Sequence, residues 1–404
     1  MEILNRRRFL QVGSLASASL MMPRFLKALE RDNMVPPGNK VLVVVQLSGG
    51  NDGLNTVIPY RNDIYYKLRP TLGISREQAL SLTDETGLHP ALQGMKALYD
   101  EGSLALLNNV GYPNPDRSHF RSMDIWQSAS SSAENWTDGW IGRFLDAQCK
   151  GCDKPVQALE IDDTLSLAMK GDVQKGLAFK DPDKLQAAAN DRMFRELLNK
   201  HSGGHTVTDD HQPVDYLYKT MGATMSSAEY IKGQFRAYKT KELFPATELG
   251  KNMQTIARLI MSDISTKVYY VSHGAFDTHV NQLASQQTQL KRLDEAITAL
   301  TKELKNNHRF QDVVIVTFSE FGRRVEQNAG GGTDHGTANN MFIIGGGLKQ
   351  RGLLNEGPDL ANLKDGDLQY TVDFKSVYAT LLKKWLAADD AAILKQQYPH
   401  LSFV

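Results

Sequence analysis

The sequence predicts an α/β fold in which a doubly wound, mostly parallel sheet is flanked by helices. One observation is that "KVLVVVQL" at 40–47 is a short continuous apolar run, the pattern of a strand buried on both faces of a parallel sheet. Another is that strands expected at 267–272 and 312–318 enclose a segment whose leucines and isoleucine recur at helical spacing. Strand, helix and strand in that order form the crossover that joins parallel neighbours. The apolar face of this helix is expected to comprise Leu283, Leu290, Leu293, Ile297, Leu300 and Leu304.

Three further segments extend the pattern along the chain. Residues 89–111 predict a helix followed by a strand over Leu104–Asn108. "NMFIIGGG" at 340–347 predicts another strand, and 373–386 predict a closing amphipathic helix. These elements together are long enough to build a large two-faced α/β core.

The middle of the chain and its N-terminus differ from this pattern. The stretch from about 160 to 255 is more polar and less periodic, which predicts a mostly helical insertion in one domain over 39–404. Residues 1–22 place three arginines before an uncharged stretch, which is shorter than the ~20 apolar residues that cross a bilayer. This order is typical of a twin-arginine signal peptide, although an ordinary basic helix is the alternative. We therefore expect a linker over 23–38, a periplasmic or secreted protein, and no membrane span once the signal is removed.

Composition excludes some classes of function. The chain has 46 Lys and Arg residues and 46 Asp and Glu residues, so its charge gives no case for nucleic-acid binding. Its two cysteines, Cys149 and Cys152, form one C-x-x-C segment. A zinc site would need a second pair, so a local disulfide in an exported protein is the simplest expectation.

Polar side chains follow each strong strand, at the edge where open α/β sheets bind ligands. Because these segments can converge, we expect one or two divalent ions there, with zinc, calcium, magnesium or manganese compatible with carboxylate and imidazole ligands. The alternative is that the carboxylates cap helices and the histidines bond loop backbone. The residues at these strand ends and in the glycine loop are Asn51, Asp52, Asp277, His279, Glu320, Asp334 and His335.

Other residues near these segments are candidates for catalysis and substrate binding. Ser118 is a candidate metal-activated nucleophile, although a role as a helix N-cap is equally open. His119 is a candidate ligand or general acid. Asn51 and Arg323 are expected to contact substrate, since an arginine can hold a phosphate or sulfate bidentately.

Five stretches resemble domain of unknown function 1501 (DUF1501), a family of exported bacterial proteins. They are "VVVQLSGGNDGLNTVIP", "RSHFRSMDIWQSA", "FDTHVNQ", "TFSEFGRR" and "GGTDHGTANNMFIIGG", and the resemblance runs from about residue 40 to the C-terminus. That family is similar in fold to the alkaline phosphatase and sulfatase superfamily. The resemblance therefore implies an alkaline-phosphatase-like core and metal-dependent cleavage of phosphate or sulfate esters.

The resemblance also implies roles for individual residues. Asp52 matches the superfamily's first metal-binding aspartate, and Asp277 with His279 resembles the ligand pair of one metal. Glu320 stands where an Asp-His pair usually follows a strand. His335 resembles the last histidine ligand, with Asp334 as its neighbour. The chain departs from the superfamily in having Phe321 where a second-metal histidine is expected, and in lacking the usual nucleophile signature.

Three functions are consistent with these observations. The first is an exported metal-dependent hydrolase of small phosphate or sulfate esters. The second is a catalytically inactive exported binding or assembly protein on the same scaffold, which Phe321 favours. The third is an esterase of the serine–asparagine–glycine–histidine type, suggested by "GGND" but disfavoured because no G-x-S-x-G segment occurs.

Overall fold

The computed structural model describes residues 40–148, 156–190 and 227–404. The predicted signal peptide (1–22), the linker (23–38) and the C-x-x-C segment at 149–152 lie outside the described residues. The export signal, the linker, the disulfide and the division into domains therefore stay predictions.

A mostly parallel sheet forms the centre of the molecule. Within the described residues it has nine strands, in the order β11-β5-β10-β9-β1-β8-β6-β7 with β12 beside β5. Only β10 runs antiparallel to its neighbours, which confirms the predicted mostly parallel sheet. A small separate sheet has the order β2-β4-β3. The strands are β1 (Val41–Leu47), β2 (Val57–Ile58), β3 (Leu80–Ser81), β4 (Gly87–Leu88), β5 (Leu104–Gly111), β6 (Ala158–Glu160), β7 (Leu177–Ala178), β8 (Val268–His273), β9 (Val313–Phe318), β10 (Asn339–Gly345), β11 (Gly352–Leu353) and β12 (Val372–Asp373).

Helices cover both faces of this sheet, as a doubly wound fold requires. They are α1 (Gly53–Thr56), α2 (Asp63–Leu68), α3 (Gln93–Asp100), α4 (His119–Ser128), α5 (Trp140–Gln148), α6 (Pro182–Ala189), α7 (227–237), α8 (Glu248–Met261), α9 (Gln282–Asn306), α10 (Phe374–Thr380) and α11 (Asp390–Leu394). The chain continues after α10 as a π-helical turn over Leu381–Trp385.

The strand β1 lies at the centre of the sheet because its side chains are apolar on both faces. Val43 and Val45 pack into a core with α3, α8 and α9, whereas Leu42 and Val44 pack into a second core with α4, α5 and α10. This alternation is the period of two expected of a pleated strand. Both neighbours of β1, β8 and β9, are parallel to it, so their carboxyl ends meet at one edge.

The crossover helix α9 differs from prediction at its first turn. Leu290, Leu293, Ile297 and Leu300 are buried as expected, but Leu283 is 41% exposed. Two glutamines, Gln282 and Gln286, are buried there instead. The start of α9 therefore faces polar groups at the sheet edge rather than the apolar core.

The described part of the region from about 160 to 255 contains α6, α7 and the start of α8. It also supplies β7 and the end of β6, which extend the central sheet at one edge. Strands of two or three residues show too few periods for an alternating pattern to indicate them. Within the described residues, no helix is both long and apolar enough to cross a bilayer.

Candidate metal centre at the carboxyl edge of the sheet

Three loops bring potential metal ligands together at the carboxyl edge of the sheet. One ligand atom from each of His119, Asp277 and His335 lies within 4.8 Å of the others. His119 begins α4 after β5, Asp277 follows β8, and His335 precedes the antiparallel β10. Because β10 runs opposite to its neighbours, its N-terminal end lies at the same edge as the carboxyl ends of β5 and β8.

The tautomer of His335 is fixed by a backbone carbonyl. Its Nδ1 lies 2.8 Å from the carbonyl oxygen of Arg117, which can only accept, so Nδ1 donates. In the neutral ring this leaves the Nε2 lone pair free, which is the arrangement seen in metal-binding histidines. Burial lowers the pKa of His335 and so favours that neutral ring.

His279 directs its own Nε2 to the same place. Its Nδ1 lies 3.0 Å from Oδ1 of Asp334, which holds the ring in one orientation. Its Nε2 lies 3.0 Å from Nε2 of His335 and 3.1 Å from Oδ1 of Asp277. His279 therefore contacts two members of the three-residue group and extends it to four. A hydrogen bond from Asn328, followed by the one from His279, lowers the pKa of Asp334 and keeps it ionised.

Asp277 lies between the three histidines. Its Oδ1 is 3.4 Å from Nε2 of His335, and its Oδ2 is 3.5 Å from Nε2 of His119. Arg323 donates to Oδ1 at 2.6 Å. Burial alone would raise the pKa of Asp277, but the hydrogen bond and charge of Arg323 outweigh burial and lower it. The carboxylate is therefore held in the charged form that binds cations.

His119 is oriented by Glu320. Nδ1 of His119 lies 2.8 Å from Oε1 of Glu320, and that same oxygen accepts from the backbone nitrogen of Gly49 at 2.8 Å. The hydrogen bond to Glu320 is the main cause of a raised pKa at His119. Nε2 of His119 is buried and has no hydrogen-bond partner among the described residues. A carboxylate behind one ring nitrogen, with the other nitrogen free, is the usual support of a metal-binding or proton-transferring histidine.

Glu320 is buried behind the ring of His119, and its role as a metal ligand stays a prediction. It is 1% exposed, and its remaining oxygen lies 3.3 Å from the hydroxyl of Ser319. Phe321 forms an apolar wall, with its ring centre 4.9 Å from that of His119 and 4.7 Å from that of His335. The position where the superfamily resemblance implies a second histidine therefore packs against the site through carbon atoms.

The structure places Asp52 apart from this group. Asp52 is buried, pairs with Arg69 at 2.6 Å, and caps α1 through the backbone nitrogens of Leu54 and Asn55. Gln282 also donates to it. These contacts match the helix-capping alternative, and they leave the role of Asp52 as a metal ligand an unsupported prediction.

The two residues expected to bind substrate, Asn51 and Arg323, are both buried. The Asn51 side chain is buried and bonds Thr56 and Gln286. The guanidinium of Arg323 is fully buried and donates to the carbonyls of Gly49, Gly50, Phe276 and Thr333 as well as to Asp277. Contrary to the prediction, Arg323 has no exposed face for a substrate anion; it binds the loops together beneath Asp277.

Ser118 is exposed between two residues that contact the site. It occupies the N-cap position of α4, but its side chain makes no capping hydrogen bond. The backbone of Arg117 holds His335 on one side, and the side chain of His119 enters the site on the other. The geometry thus places Ser118 at the rim, where its backbone nitrogen donates to Oδ1 of Asp116 at 2.7 Å.

Two buried residues near the site, Gln282 and Arg69, were not predicted from the sequence. Gln282 donates to Asp52 and accepts from Thr333 at 2.6 Å. Its burial together with Gln286, one helical turn later, breaks the leucine stripe of α9, and that break is a signal the sequence contains. Arg69, by contrast, lies in a segment with no periodic or motif-like feature.

The chain was compared with curated proteins, with solved structures and with models of protein families. Among proteins with curated functions, none matches this sequence. Three solved structures illustrate the similarity in fold. The PsFucS1 sulfatase from Pseudoalteromonas sp. is 9% identical with a TM-score of 0.40, over 90% of this chain and 70% of that one. A protein in the alkaline phosphatase superfamily from Vibrio parahaemolyticus is 9% identical with a TM-score of 0.36, over 88% and 69%. The lipoteichoic acid synthase LtaP from Listeria monocytogenes is also 9% identical with a TM-score of 0.36, over 78% and 68%.

A family model described as "Protein of unknown function (DUF1501)" matches residues 39–396. The chain therefore belongs to the DUF1501 family.

Proposed function

We propose that this protein is an exported metal-dependent hydrolase of phosphate or sulfate esters. The observation that carries the proposal is the convergence of Asp277, His279 and His335, in which both imidazoles have Nδ1 bound to an acceptor and direct Nε2 to one place. Two imidazoles and one carboxylate favour zinc over calcium and magnesium, which prefer all-oxygen sites. Such an ion, when bound, supplies a Lewis acid for an ester oxygen.

His119 is the proposed proton-transfer group of the reaction. Glu320 fixes its ring and raises its pKa, and its Nε2 lies 3.5 Å from Oδ2 of Asp277 with no hydrogen-bond partner among the described residues. A protonated His119 can donate to a leaving alkoxide, and Glu320 stabilises the charged ring until it does so. Asp277, with its depressed pKa, remains an acceptor throughout. Ser118 stands beside His119 at the rim and is the remaining candidate for a nucleophile.

The test uses the full chain expressed with its N-terminal segment and purified after export. We expect close to one equivalent of zinc or another divalent ion by elemental analysis, and turnover of an aryl phosphate or an aryl sulfate. Asp277→Asn should lose metal and activity together, whereas Asp84→Asn, at an exposed aspartate, should change neither. Metal-free wild-type protein with no turnover of either ester would refute the proposal.

The second candidate is a catalytically inactive binding or assembly protein. One observation favours it: Phe321 packs beside His119 and His335, where the superfamily resemblance implies a second-metal histidine. This candidate predicts that protein with a full complement of metal turns over neither ester, and that Asp277→Asn and His279→Ala leave its biological function intact.

Export by the twin-arginine route is part of the proposal and rests on residues 1–22. Replacing Arg6, Arg7 and Arg8 by lysine keeps the positive charge but removes the arginines that this route requires. We expect the variant to stay in the cytoplasm in cell fractionation. Export at the wild-type level would show that an ordinary basic segment is sufficient.

A further inference from the structure

A cleft lies beside the candidate metal centre and is lined by the two loops that carry His119 and His335. A cavity of about 350 Å³ is lined by Arg117 and by Thr337. Arg117 lies two residues before His119, and Thr337 lies two residues after His335. A second cavity of about 550 Å³ shares Gln369 and Tyr370 with the first and continues away from the centre. These volumes lie in the range of small-molecule sites.

The lining of this cleft is polar but carries little net charge. Amide side chains are supplied along it by Asn109, Asn114, Asn355, Asn362 and Gln369. The basic groups Arg117 and Lys364 are balanced by acidic groups that include Asp365 and Glu356, and Arg117 is itself paired with Asp367. Asn109, Asn355 and Gln369 already donate hydrogen bonds to neighbouring residues of the chain. An amide oxygen can accept two hydrogen bonds without carrying charge, so this lining suits a ligand that donates from hydroxyl groups.

Two aromatic residues in the cleft have unusual surroundings. Tyr370 is 38% exposed, although large apolar and aromatic side chains are mostly buried elsewhere in the described residues. Gly111 lies beneath it, and a Cβ added at Gly111 would come within 2.8 Å of the Cβ of Tyr370. Trp126 also lines the first cavity, is 1% exposed, and has a buried Nε1 with no acceptor among the described residues. Trp126 is stacked between Phe318 and Phe374, so it serves as a fixed apolar wall of the cavity.

We propose that this cleft binds the saccharide part of the substrate, so that the ester cleaved at the metal centre is carried by a carbohydrate. A sugar ring has an apolar C–H face that can pack on Tyr370, and hydroxyl groups that match the amides. Because the two cavities adjoin at Gln369 and Tyr370, together they have room for more than one sugar unit. This inference names the substrate class for the proposed hydrolase and rests on that proposal.

The binding test is independent of catalysis. The full chain is titrated calorimetrically with dextran, galactan and mannan oligosaccharides, each in native and partially sulfated or phosphorylated form. We expect at least one of these probes to bind. Tyr370→Ala should weaken that binding about tenfold, the loss expected from removing one aromatic packing partner. Gly111→Ala should also weaken it by displacing Tyr370, whereas Leu243→Ala, at an exposed leucine outside the cleft, should leave it unchanged.

The kinetic test separates this inference from the proposed function. Tyr370→Ala should raise KM for a saccharide ester several times more than it raises KM for an aryl ester. Saccharide binding without hydrolysis, retained in Asp277→Asn, would support the cleft and reject the hydrolase. Aryl-ester turnover with no binding of any saccharide probe, or binding unaffected by Tyr370→Ala, would overturn the cleft assignment.

Discussion

The Nε2 atoms of His279 and His335 lie 3.0 Å apart, and each ring has its Nδ1 bound to an oxygen acceptor. Two neutral rings held in this way would bring two lone pairs together, so the contact requires a shared proton or a cation. Two nitrogens about 2.0 Å from a tetrahedral zinc ion are about 3.3 Å apart, so an ion fits after a shift of a few tenths of an ångström. This contact is the basis of the first prediction.

Zinc should stabilise the wild-type protein and fail to stabilise His335→Ala. At a free zinc concentration of about 100 times Kd, binding to the native state adds about 2.7 kcal/mol to the free energy of unfolding. Thermal unfolding with zinc and with a chelator measures this difference. His308→Ala, at an exposed histidine outside the site, is the matched control and should respond as the wild type does. Equal stabilisation of His335→Ala by zinc would place the ion elsewhere.

Glu320→Gln should reduce activity far more than it reduces stability. The amide can still accept from Gly49, but it no longer stabilises a charged ring at His119. Changes in the groups that orient a reactive histidine typically cost about 10–100-fold in activity or metal affinity. Aryl-ester turnover and metal content should be measured beside Glu85→Gln, an exposed and otherwise similar change. Unchanged kcat in Glu320→Gln would remove His119 from the proposed proton transfer.

The sequence was sufficient to predict the sheet and the convergence of its loops, because both follow from local patterns. Continuous apolar runs and helical leucine spacing predict β1, β8, β9 and α9, and topology then brings the strand ends to one edge. The sequence alone could not separate candidate metal ligands from the residues that support them. Asp52 and Asp277 both follow parallel strands and both pair with a buried arginine, and what distinguishes them is that the side chain of Asp52 is 1% exposed whereas that of Asp277 is 47% exposed. The buried role of Arg323 likewise depends on carbonyls from three distant loops.

Asp52→Asn should destabilise the fold and leave the metal bound. The change leaves the guanidinium of Arg69 buried without its carboxylate partner, which typically costs about 3–5 kcal/mol when a buried ion pair is broken. Urea unfolding measures the loss of stability, and elemental analysis measures the metal. The superfamily resemblance implies the opposite result, loss of metal with a smaller effect on folding. Asp84→Asn is the control for both measurements.

Glu160→Gln should change how stability depends on pH. Burial raises the pKa of Glu160 from 4.5 to about 7, while the backbone nitrogen of Ser166 donates to it at 2.8 Å. Because the folded-state pKa lies above the unfolded-state value, the contribution of Glu160 to the wild-type free energy of unfolding should be highest below about pH 4.5. It should then fall by about 3 kcal/mol as pH rises through about 7. Glutamine keeps the acceptor for Ser166 and cannot ionise, so the variant should lose this slope and exceed the wild type in stability above about pH 7. Urea unfolding across this pH range, beside the exposed Glu85→Gln, measures both slopes; parallel curves for wild type and Glu160→Gln would show that the carboxylate is solvated in the folded protein.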